Sequence, residues 1–125
     1  MEKIYTALGL MSGTSLDGID ASIIKSDGKN QYEAILDKYF KYNLQIEEKI
    51  HDLKNKIANR PKKLIEFSEE INSLEESITL FHAEAVNKII KDIKENIDFL
   101  GFHGQTILHS PFNNVTKQLG NGKLL

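Results

Sequence analysis

Cysteine is absent from this sequence, and its absence excludes disulfide bonds and metal sites that are built on thiolates. It does not identify a cellular compartment. The sequence also lacks an apolar run close to the roughly 20 residues that a membrane-spanning helix needs. An acid at position 2 and a short apolar stretch distinguish the first residues from a secretory signal. We therefore expect a soluble cytoplasmic protein that has no membrane partner.

An excess of charge of either sign is missing as well. The 16 basic and 18 acidic residues give a net charge of −2, and the two signs are mixed along the chain. Without a basic stripe, a nucleic-acid partner is not expected. What the sequence does contain is 125 residues with 40% apolar content, which is enough for one domain with a buried core.

Three strands are predicted in the first third of the sequence. Residues 4–10 form a short apolar run, residues 19–25 alternate apolar and polar side chains, and residues 31–42 place Tyr32, Ala34 and Leu36 on one face. The Asp-Gly pair within residues 26–30 supplies the positive φ that a hairpin turn needs. Two tight connections between three strands predict an antiparallel meander.

The middle of the sequence changes to a helical period. A first helix is predicted from apolar residues at positions 46, 50, 53 and 57, with Asn43 as its N-cap. Pro61 is expected in the first turn of a second, longer helix. That helix carries an apolar stripe of Leu64, Phe67, Ile71, Leu74, Ile78, Phe81, Ala85, Ile89 and Ile93. The stripe allows a coiled-coil partner, but a helix pair packed on the sheet is the simpler interpretation. His51 and His82 are expected at the helix surface or boundary.

Residues 97–102, Ile-Asp-Phe-Leu-Gly-Phe, predict a buried strand, and residues 115–120 alternate as a last strand. The resulting order is β-β-β-α-α-β, followed by that strand. We therefore predict an α/β protein whose meander, helices and returning strand open a ribonuclease-H-like fold.

Residues 13–18, Gly-Thr-Ser-Leu-Asp-Gly, concentrate glycines and hydroxyls between the first two strands. One interpretation is a plain tight turn. The other is an anion site, because glycine lets backbone N–H groups converge on an anion and the hydroxyls of Thr14 and Ser15 add donors. Asp17 would then hold a Mg²⁺-bound water. The pattern is neither a Walker A loop nor a Rossmann fingerprint, since it has no Gly-Lys-Ser/Thr and a strand follows it.

The segment His103-Gly104-Gln105-Thr106 follows the strand predicted at 97–102. Side chains at such strand ends commonly line a ligand crevice, and imidazole, amide and hydroxyl groups suit sugar hydroxyls and an acetamido group. The alternative is that His103 caps the strand and Gln105 lies at the surface. His103 and His109 do not suffice for a metal site, because no third ligand has a helpful spacing.

Two motifs carry a family resemblance. "LGLMSGTSLDGIDA" resembles the N-terminal signature of the anhydro-N-acetylmuramic acid kinases, and "GFHGQTILHSP" resembles their second signature. "KQLGNG" is similar to the block that follows. The similarity runs from about residue 4 to the end and is weakest in the helical middle. The first motif alone would indicate only the wider superfamily of sugar kinases, actin and heat-shock-70 proteins.

The resemblance implies an actin-like, ATP-dependent kinase of cell-wall sugar recycling. Such enzymes hydrolyse the 1,6-anhydro bridge of 1,6-anhydro-N-acetylmuramic acid and phosphorylate the freed 6-oxygen to give N-acetylmuramate 6-phosphate. It implies ATP with Mg²⁺ as cofactor and allows a homodimer. The implied ATP-phosphate loop comprises Gly13, Thr14, Ser15, Leu16, Asp17, Gly18, Ile19 and Asp20. The implied sugar-binding residues are His103, Gly104, Gln105 and Thr106.

The resemblance also implies what these 125 residues lack. In the family, the carboxylate that activates water lies in an Asp-Phe-Arg…Asp segment downstream of the Gln-Leu-Gly block, and Asp98-Phe99 precedes the His-Gly-Gln-Thr motif and is no substitute. A second phosphate loop, the adenosine pocket and the second domain are also missing. We therefore expect residues 1–125 to be the N-terminal part of an actin-like kinase domain, inactive alone. The alternative is a non-catalytic fragment, or an interaction module that uses the long helix.

Overall fold

The computed structural model describes residues 3–12, 16–29, 31–94, 96–110 and 115–120, with backbone only for 108–110 and 115–116. The strands are β1 (Tyr5–Ser12), β2 (Gly18–Ser26), β3 (Tyr32–Lys41), β4 (Phe99–Phe102), β5 (Gln105–Ser110) and β6 (Val115–Leu119). The helices are α1 (Leu44–Ile57), α2 (Lys63–Glu66) and α3 (Ser68–Lys91). The predicted α/β class and the order of the first three strands are confirmed.

The main sheet has four strands in the order β3-β2-β1-β4. β1 pairs antiparallel with β2, and β2 with β3, so the predicted meander is confirmed. β4 returns after the helices and pairs parallel to β1. Asp98 anchors this return, because its carboxylate accepts the backbone N–H of Thr6 at 2.8 Å and its own N–H donates to the Thr6 carbonyl at 2.8 Å.

The face predicted for β3 is wrong at its beginning. Ile23 pairs with Leu36 whereas the next residue, Ile24, pairs with Ala34, so Ile35 is an extra residue in β3. Such a bulge moves the residues on its two sides to opposite faces of the sheet. Leu36 is therefore partly buried on the core side, while Tyr32 is 75% exposed and Ala34 is exposed.

The start of the first helix agrees with the prediction, whereas the second predicted helix differs from it. Asn43 caps α1, since its side-chain oxygen accepts the N–H of Ile46 at 2.9 Å. Pro61 lies in the turn before α2 instead of in its first turn, and the long second helix is divided at Phe67 into α2 and α3. Within the described residues, no helix combines the length and the apolar character that crossing a membrane requires.

The core lies between one face of the sheet and the helices. Alternate residues of β1 and β2 meet the apolar stripes of α1 and α3 there, and Ile107 and Leu119 from the β5–β6 hairpin join them. The buried positions of α3 are Ile71, Leu74, Ile78, Thr79, His82, Ala85 and Ile89. Five residues of the apolar stripe are thus buried, and Leu64, Phe67, Phe81 and Ile93 are partly buried against the core. The stripe packs within the chain, as the interpretation of helices packed on the sheet predicts.

β4 is not the buried strand that its apolar composition predicts. Phe99 is 57% exposed and Leu100 is 44% exposed. The physical reason is position, because β4 lies at the edge of the four-stranded sheet and the helices cover only one face. On the open face, Met11 and Phe99 remain exposed, and the ring of Tyr5 packs against that of Phe99 at 5.2 Å.

Candidate functional site

The predicted phosphate loop connects β1 to β2. Gly13, Thr14 and Ser15 lie outside the described residues, so the hypothesis for them stays a prediction. The described part of the loop begins at Leu16, whose φ of 63° is in the left-handed region. A residue with a Cβ pays of order 1–3 kcal/mol for such a conformation.

Burial of the Leu16 side chain offsets this strain. Leu16 is 3% exposed and belongs to the hydrophobic core, and burying a leucine side chain contributes roughly 1.5–3 kcal/mol. The two terms are of similar size, so a leucine is tolerated where glycine would be the usual choice. Leu16 therefore anchors the loop exit to the core, next to Asp17.

Asp17 is held from two directions by the end of β3. Its carbonyl accepts the backbone N–H of Tyr42 at 2.8 Å, and its carboxylate accepts the hydroxyl of Tyr39. The pKa of Tyr39 is raised to about 12. The larger cause is partial desolvation of the hydroxyl, although half of the residue is exposed, and the second is the hydrogen bond that the hydroxyl donates to Asp17. These contacts fix the backbone and the carboxylate at the loop exit.

Gly18 has a packing reason to be glycine in addition to any ligand. A Cβ at this position would lie 2.5 Å from the carbonyl oxygen of Phe40 and 2.6 Å from the hydroxyl oxygen of Tyr39. Cβ atoms essentially never lie within 3.0 Å of such an atom, so neighbouring atoms would have to shift. The close approach of β3 to the start of β2 therefore requires glycine here.

The last two residues of the predicted loop lie within β2 and differ in their surroundings. The side chain of Ile19 is fully buried in the core, and its backbone lies between Ser12 of β1 and Phe40 of β3 in the sheet. Asp20 is exposed and pairs with Met11 of β1. Its carboxylate remains accessible from solvent on the open face of the sheet.

The His-Gly-Gln-Thr segment leads from β4 into β5. Gly104 has a φ of +82°, and a Cβ there would lie 2.5 Å from the carbonyl oxygen of Leu119, so this turn needs glycine. His103 is exposed, Thr106 is half-buried and Gln105 is fully buried. The alternative of a surface Gln105 is therefore wrong.

Gln118 of β6 contacts two residues of this segment. Its side-chain Nε2 lies 2.6 Å from Nε2 of His103 and 3.5 Å from Oγ1 of Thr106. The amide donates to the His103 nitrogen, so that nitrogen is the unprotonated one. Gln118 lies in the "KQLGNG" block, for which the sequence suggested no individual role.

A buried polar network joins the two predicted segments. The Tyr42 hydroxyl donates to Oε1 of Gln105 at 3.1 Å and lies 3.0 Å from Oγ of Ser12. Ser12 Oγ in turn lies 3.3 Å from Nε2 of His82. Ser12 is the residue directly before the loop, so two hydrogen bonds through Tyr42 connect the loop to Gln105.

His82 corrects a prediction, because it is completely buried and not a surface or boundary residue, whereas His51 is exposed as expected. Burial lowers the pKa of His82, and the hydrogen bond between its Nδ1 and the Ile78 carbonyl opposes this shift. The helical spacing in the sequence allowed either of two positions to be buried here. Position 82 completes the spacing of three and four residues between Ile78 and Ala85, where the prediction used Phe81 instead.

A shallow cavity of about 340 Å³ lies on the open face beside these segments. It is lined by Gly9, Leu10, Met11, Gly101, Phe102 and His103. Gly9 and Gly101 are direct partners across β1 and β4, so no side chain fills the space between them. Among the described residues, no three His, Asp or Glu side chains converge to hold a metal ion, and the side chain of His109 lies outside them.

Comparison with known proteins agrees with the motifs. The family model described as anhydro-N-acetylmuramic acid kinase matches residues 5–125. The anhydro-N-acetylmuramic acid kinase of Pelagibacter ubique is 54% identical to this chain over 125 aligned residues. The kinase of Agrobacterium fabrum is 36% identical over 132 residues, and that of Rhizobium etli is 34% identical over 138 residues.

These matches cover all of this chain but only 33% of the Pelagibacter protein and 34% of the other two. The chain thus spans about a third of the length of the curated relatives it matches. The family model covers nearly the whole chain. The chain belongs to the anhydro-N-acetylmuramic acid kinase family.

Proposed function

We propose that this chain supplies the ATP-phosphate loop and part of the sugar pocket of an ATP-dependent anhydro-N-acetylmuramic acid kinase. The reaction hydrolyses the 1,6-anhydro bridge and phosphorylates the 6-oxygen to give N-acetylmuramate 6-phosphate, in the cytoplasmic recycling of cell-wall sugars. One observation carries the proposal. The Tyr42 hydroxyl lies within 3.1 Å of both Ser12 Oγ, at the entry to the loop, and Gln105 Oε1, in the His-Gly-Gln-Thr segment.

The sheet topology supports a ribonuclease-H-like domain as the framework for this reaction. An antiparallel meander followed by helices and a strand parallel to β1, in the order β3-β2-β1-β4, is the arrangement we expect at the start of such a domain. Residues 1–125 are then the N-terminal part of an actin-like kinase domain, and the second domain belongs to the remaining length of the relatives.

The loop residues divide into two roles. Gly13 and Gly18 leave room for backbone N–H groups to approach phosphate oxygens, and the hydroxyls of Thr14 and Ser15 add donors. Asp17 fits a Mg²⁺-bound water, because its carboxylate is an oxygen ligand of the type the ion prefers and Tyr39 holds it in place. When bound, Mg²⁺ supplies positive charge against the phosphates.

The His-Gly-Gln-Thr residues are proposed to bind the sugar. His103 is exposed beside the cavity at the end of β4, and its Nδ1–H is available to a sugar oxygen because Gln118 engages Nε2. The side chain of Gln105 is buried against Tyr42 and donates to the carbonyl of Thr106 at 3.2 Å. We propose that Gln105 sets the shape of the pocket wall while His103 contacts the ligand.

Chemistry needs groups from outside these residues. The carboxylate that activates water is expected downstream of the Gln-Leu-Gly block, and phosphoryl transfer depends on positioning between two halves of an enzyme. The chain alone is therefore proposed to be inactive. An interaction module built on the long helix is not favoured, because the apolar stripe of α3 is buried within the chain.

A chimera tests the proposal. This chain replaces the matching third of the Pelagibacter ubique relative, and the product is followed by ³¹P NMR with ATP and 1,6-anhydro-N-acetylmuramic acid. We expect the chimera to form the 6-phosphate and the isolated chain to form none. A folded chimera that binds neither substrate would contradict the proposed function, and product from the isolated chain would contradict the need for a second half.

A further inference from the structure

Four polar side chains from four parts of the fold meet in the interior. Ser12 ends β1, Tyr42 lies between β3 and α1, His82 belongs to α3 and Gln105 begins β5. Their exposed fractions are 6%, 2%, 0% and 0%. Buried polar groups destabilise a fold unless they are hydrogen-bonded, and a satisfied network specifies one arrangement of the elements it joins.

The orientation of the network can be followed from both ends. The carbonyl of Ile78 only accepts hydrogen bonds and lies 2.8 Å from Nδ1 of His82, so Nδ1 carries a proton and Nε2 faces Ser12. At the other end, Nε2 of Gln105 donates to the Thr106 carbonyl. This bond directs Oε1 of Gln105 to Tyr42 as an acceptor.

The number of protons shared by the network depends on whether Nε2 of His82 is protonated. When Nε2 is unprotonated, the Ser12 hydroxyl donates to it, and the single proton of Tyr42 serves both Ser12 Oγ and Gln105 Oε1. When Nε2 carries a proton, it donates to Ser12, Ser12 donates to Tyr42, and Tyr42 donates to Gln105. Every contact then has one donor, and all three donate in the direction of Gln105.

We propose that Ser12, Tyr42 and His82 form a buried hydroxyl relay that positions the side chain of Gln105 and ties it to the entry of the phosphate loop. His82 and Tyr42 are positioning residues, since they act on the sugar segment through Gln105. This inference rests on the proposed function for its consequence in catalysis. The relay itself rests only on the contacts described above.

The groups around His82 do not change their own charge in the pH range in which His82 is followed. β1 presents the Ser12 hydroxyl, β4 presents the ring of Phe102 at 5.1 Å, and the segment before α1 presents Tyr42. Tyr42 keeps its proton throughout, because burial raises its pKa to about 12. Among the described residues, no charged group contributes to the lowering of the His82 pKa.

The relay is tested on the 125-residue chain by NMR. The side-chain amide signals of Gln105 and the ring nitrogens of His82 are followed between pH 7.5 and 4.5. We expect the Gln105 amide to move with the midpoint of His82. In Tyr42→Phe this pH dependence should disappear, whereas the control Tyr32→Phe, at an exposed tyrosine, should keep it. A Gln105 amide with the same titration in Tyr42→Phe as in the parent would overturn the relay.

Kinetics of the chimera test the consequence for the sugar. We expect Tyr42→Phe to raise the KM for the anhydro sugar about 3- to 10-fold, the range of one net hydrogen bond, with the KM for ATP nearly unchanged. Removal of the imidazole by His82→Gln should act in the same direction. Unchanged sugar KM in an active Tyr42→Phe chimera would overturn the positioning role. An inactive parent chimera would count against the proposed function, while the amide titration would still decide the relay.

Discussion

The imidazole Nε2 of His82 lies 3.3 Å from the hydroxyl oxygen of Ser12, although 70 residues separate them in the chain. This contact joins the middle of α3 to the last residue of β1, directly before the predicted phosphate loop. His82 is also a buried titratable group, and the lowering of its pKa by burial links the stability of the chain to pH.

The first prediction concerns this link. Because the pKa of His82 is lower in the folded chain than its unfolded value of about 6.5, the unfolded state binds more protons as the pH falls below about 6.5. The contribution of neutral His82 to stability is therefore complete above that pH and declines on acidification. The slope approaches about 1.4 kcal/mol per pH unit for one proton. Urea unfolding at pH 5 to 7.5 should show this slope reduced in His82→Gln and retained in the exposed control His51→Gln.

The second prediction concerns the backbone of Leu16. Replacement by alanine or glycine removes the buried side chain, but glycine also relieves the left-handed φ of 63°. Leu16→Gly should therefore be more stable than Leu16→Ala by about 0.5–1 kcal/mol. At Leu53, a buried position within α1, the order should reverse because glycine disfavours a helix interior. The same order at both positions in chemical denaturation would contradict the assigned strain.

The third prediction separates two glycines of the same sheet. Gly18→Ala places a Cβ against the carbonyl of Phe40 and the ring of Tyr39, and we expect a destabilisation of about 1–3 kcal/mol. Gly9→Ala meets no atom within 4 Å and should be neutral or slightly stabilising. Thermal unfolding of both variants makes the comparison. Equal effects would show that β3 does not confine Gly18.

The fourth prediction distinguishes the two ligand segments in the chimera. Asp17→Asn should lower turnover much more than stability, because the amide lacks the charge that would hold a Mg²⁺-bound water. His103→Ala should raise the KM for sugar and leave that for ATP nearly unchanged. Separate titrations in ATP and in sugar measure both variants. If Asp17→Asn weakened sugar alone, or His103→Ala weakened ATP alone, the two segments would have been assigned the wrong way round.

Local features were predictable because short-range chemistry decides them. The antiparallel meander follows from alternation and an Asp-Gly turn, and the start of α1 follows from Asn43, whose side chain reaches Ile46 only three residues away. The family was likewise evident from two short motifs. In each case the residues concerned are neighbours in sequence.

Features that depend on contacts between distant residues could not be predicted from the sequence. The bulge at Ile35 reverses the faces of β3, and nothing near Tyr32 signals it, because register is a property of the pairing with β2. The apolar composition of β4 predicts a buried strand, but β4 lies at the edge of the sheet and is partly exposed. His82 was misplaced because helical spacing alone does not choose between it and Phe81.

The sequence by itself therefore determined the three-stranded meander, the start of α1, the family and the two motif segments, since these are written in neighbouring residues. It did not predict the strand β5 or the division of the second helix into α2 and α3. Only the tertiary structure decided that Ser12, Tyr42, His82 and Gln105 share one buried network. These residues are spread over more than 90 positions, and nothing in the local sequence of any one of them indicates the other three. Packing the helices on one face of the sheet removes them from water, and hydrogen bonding to one another is then what offsets the loss of hydration.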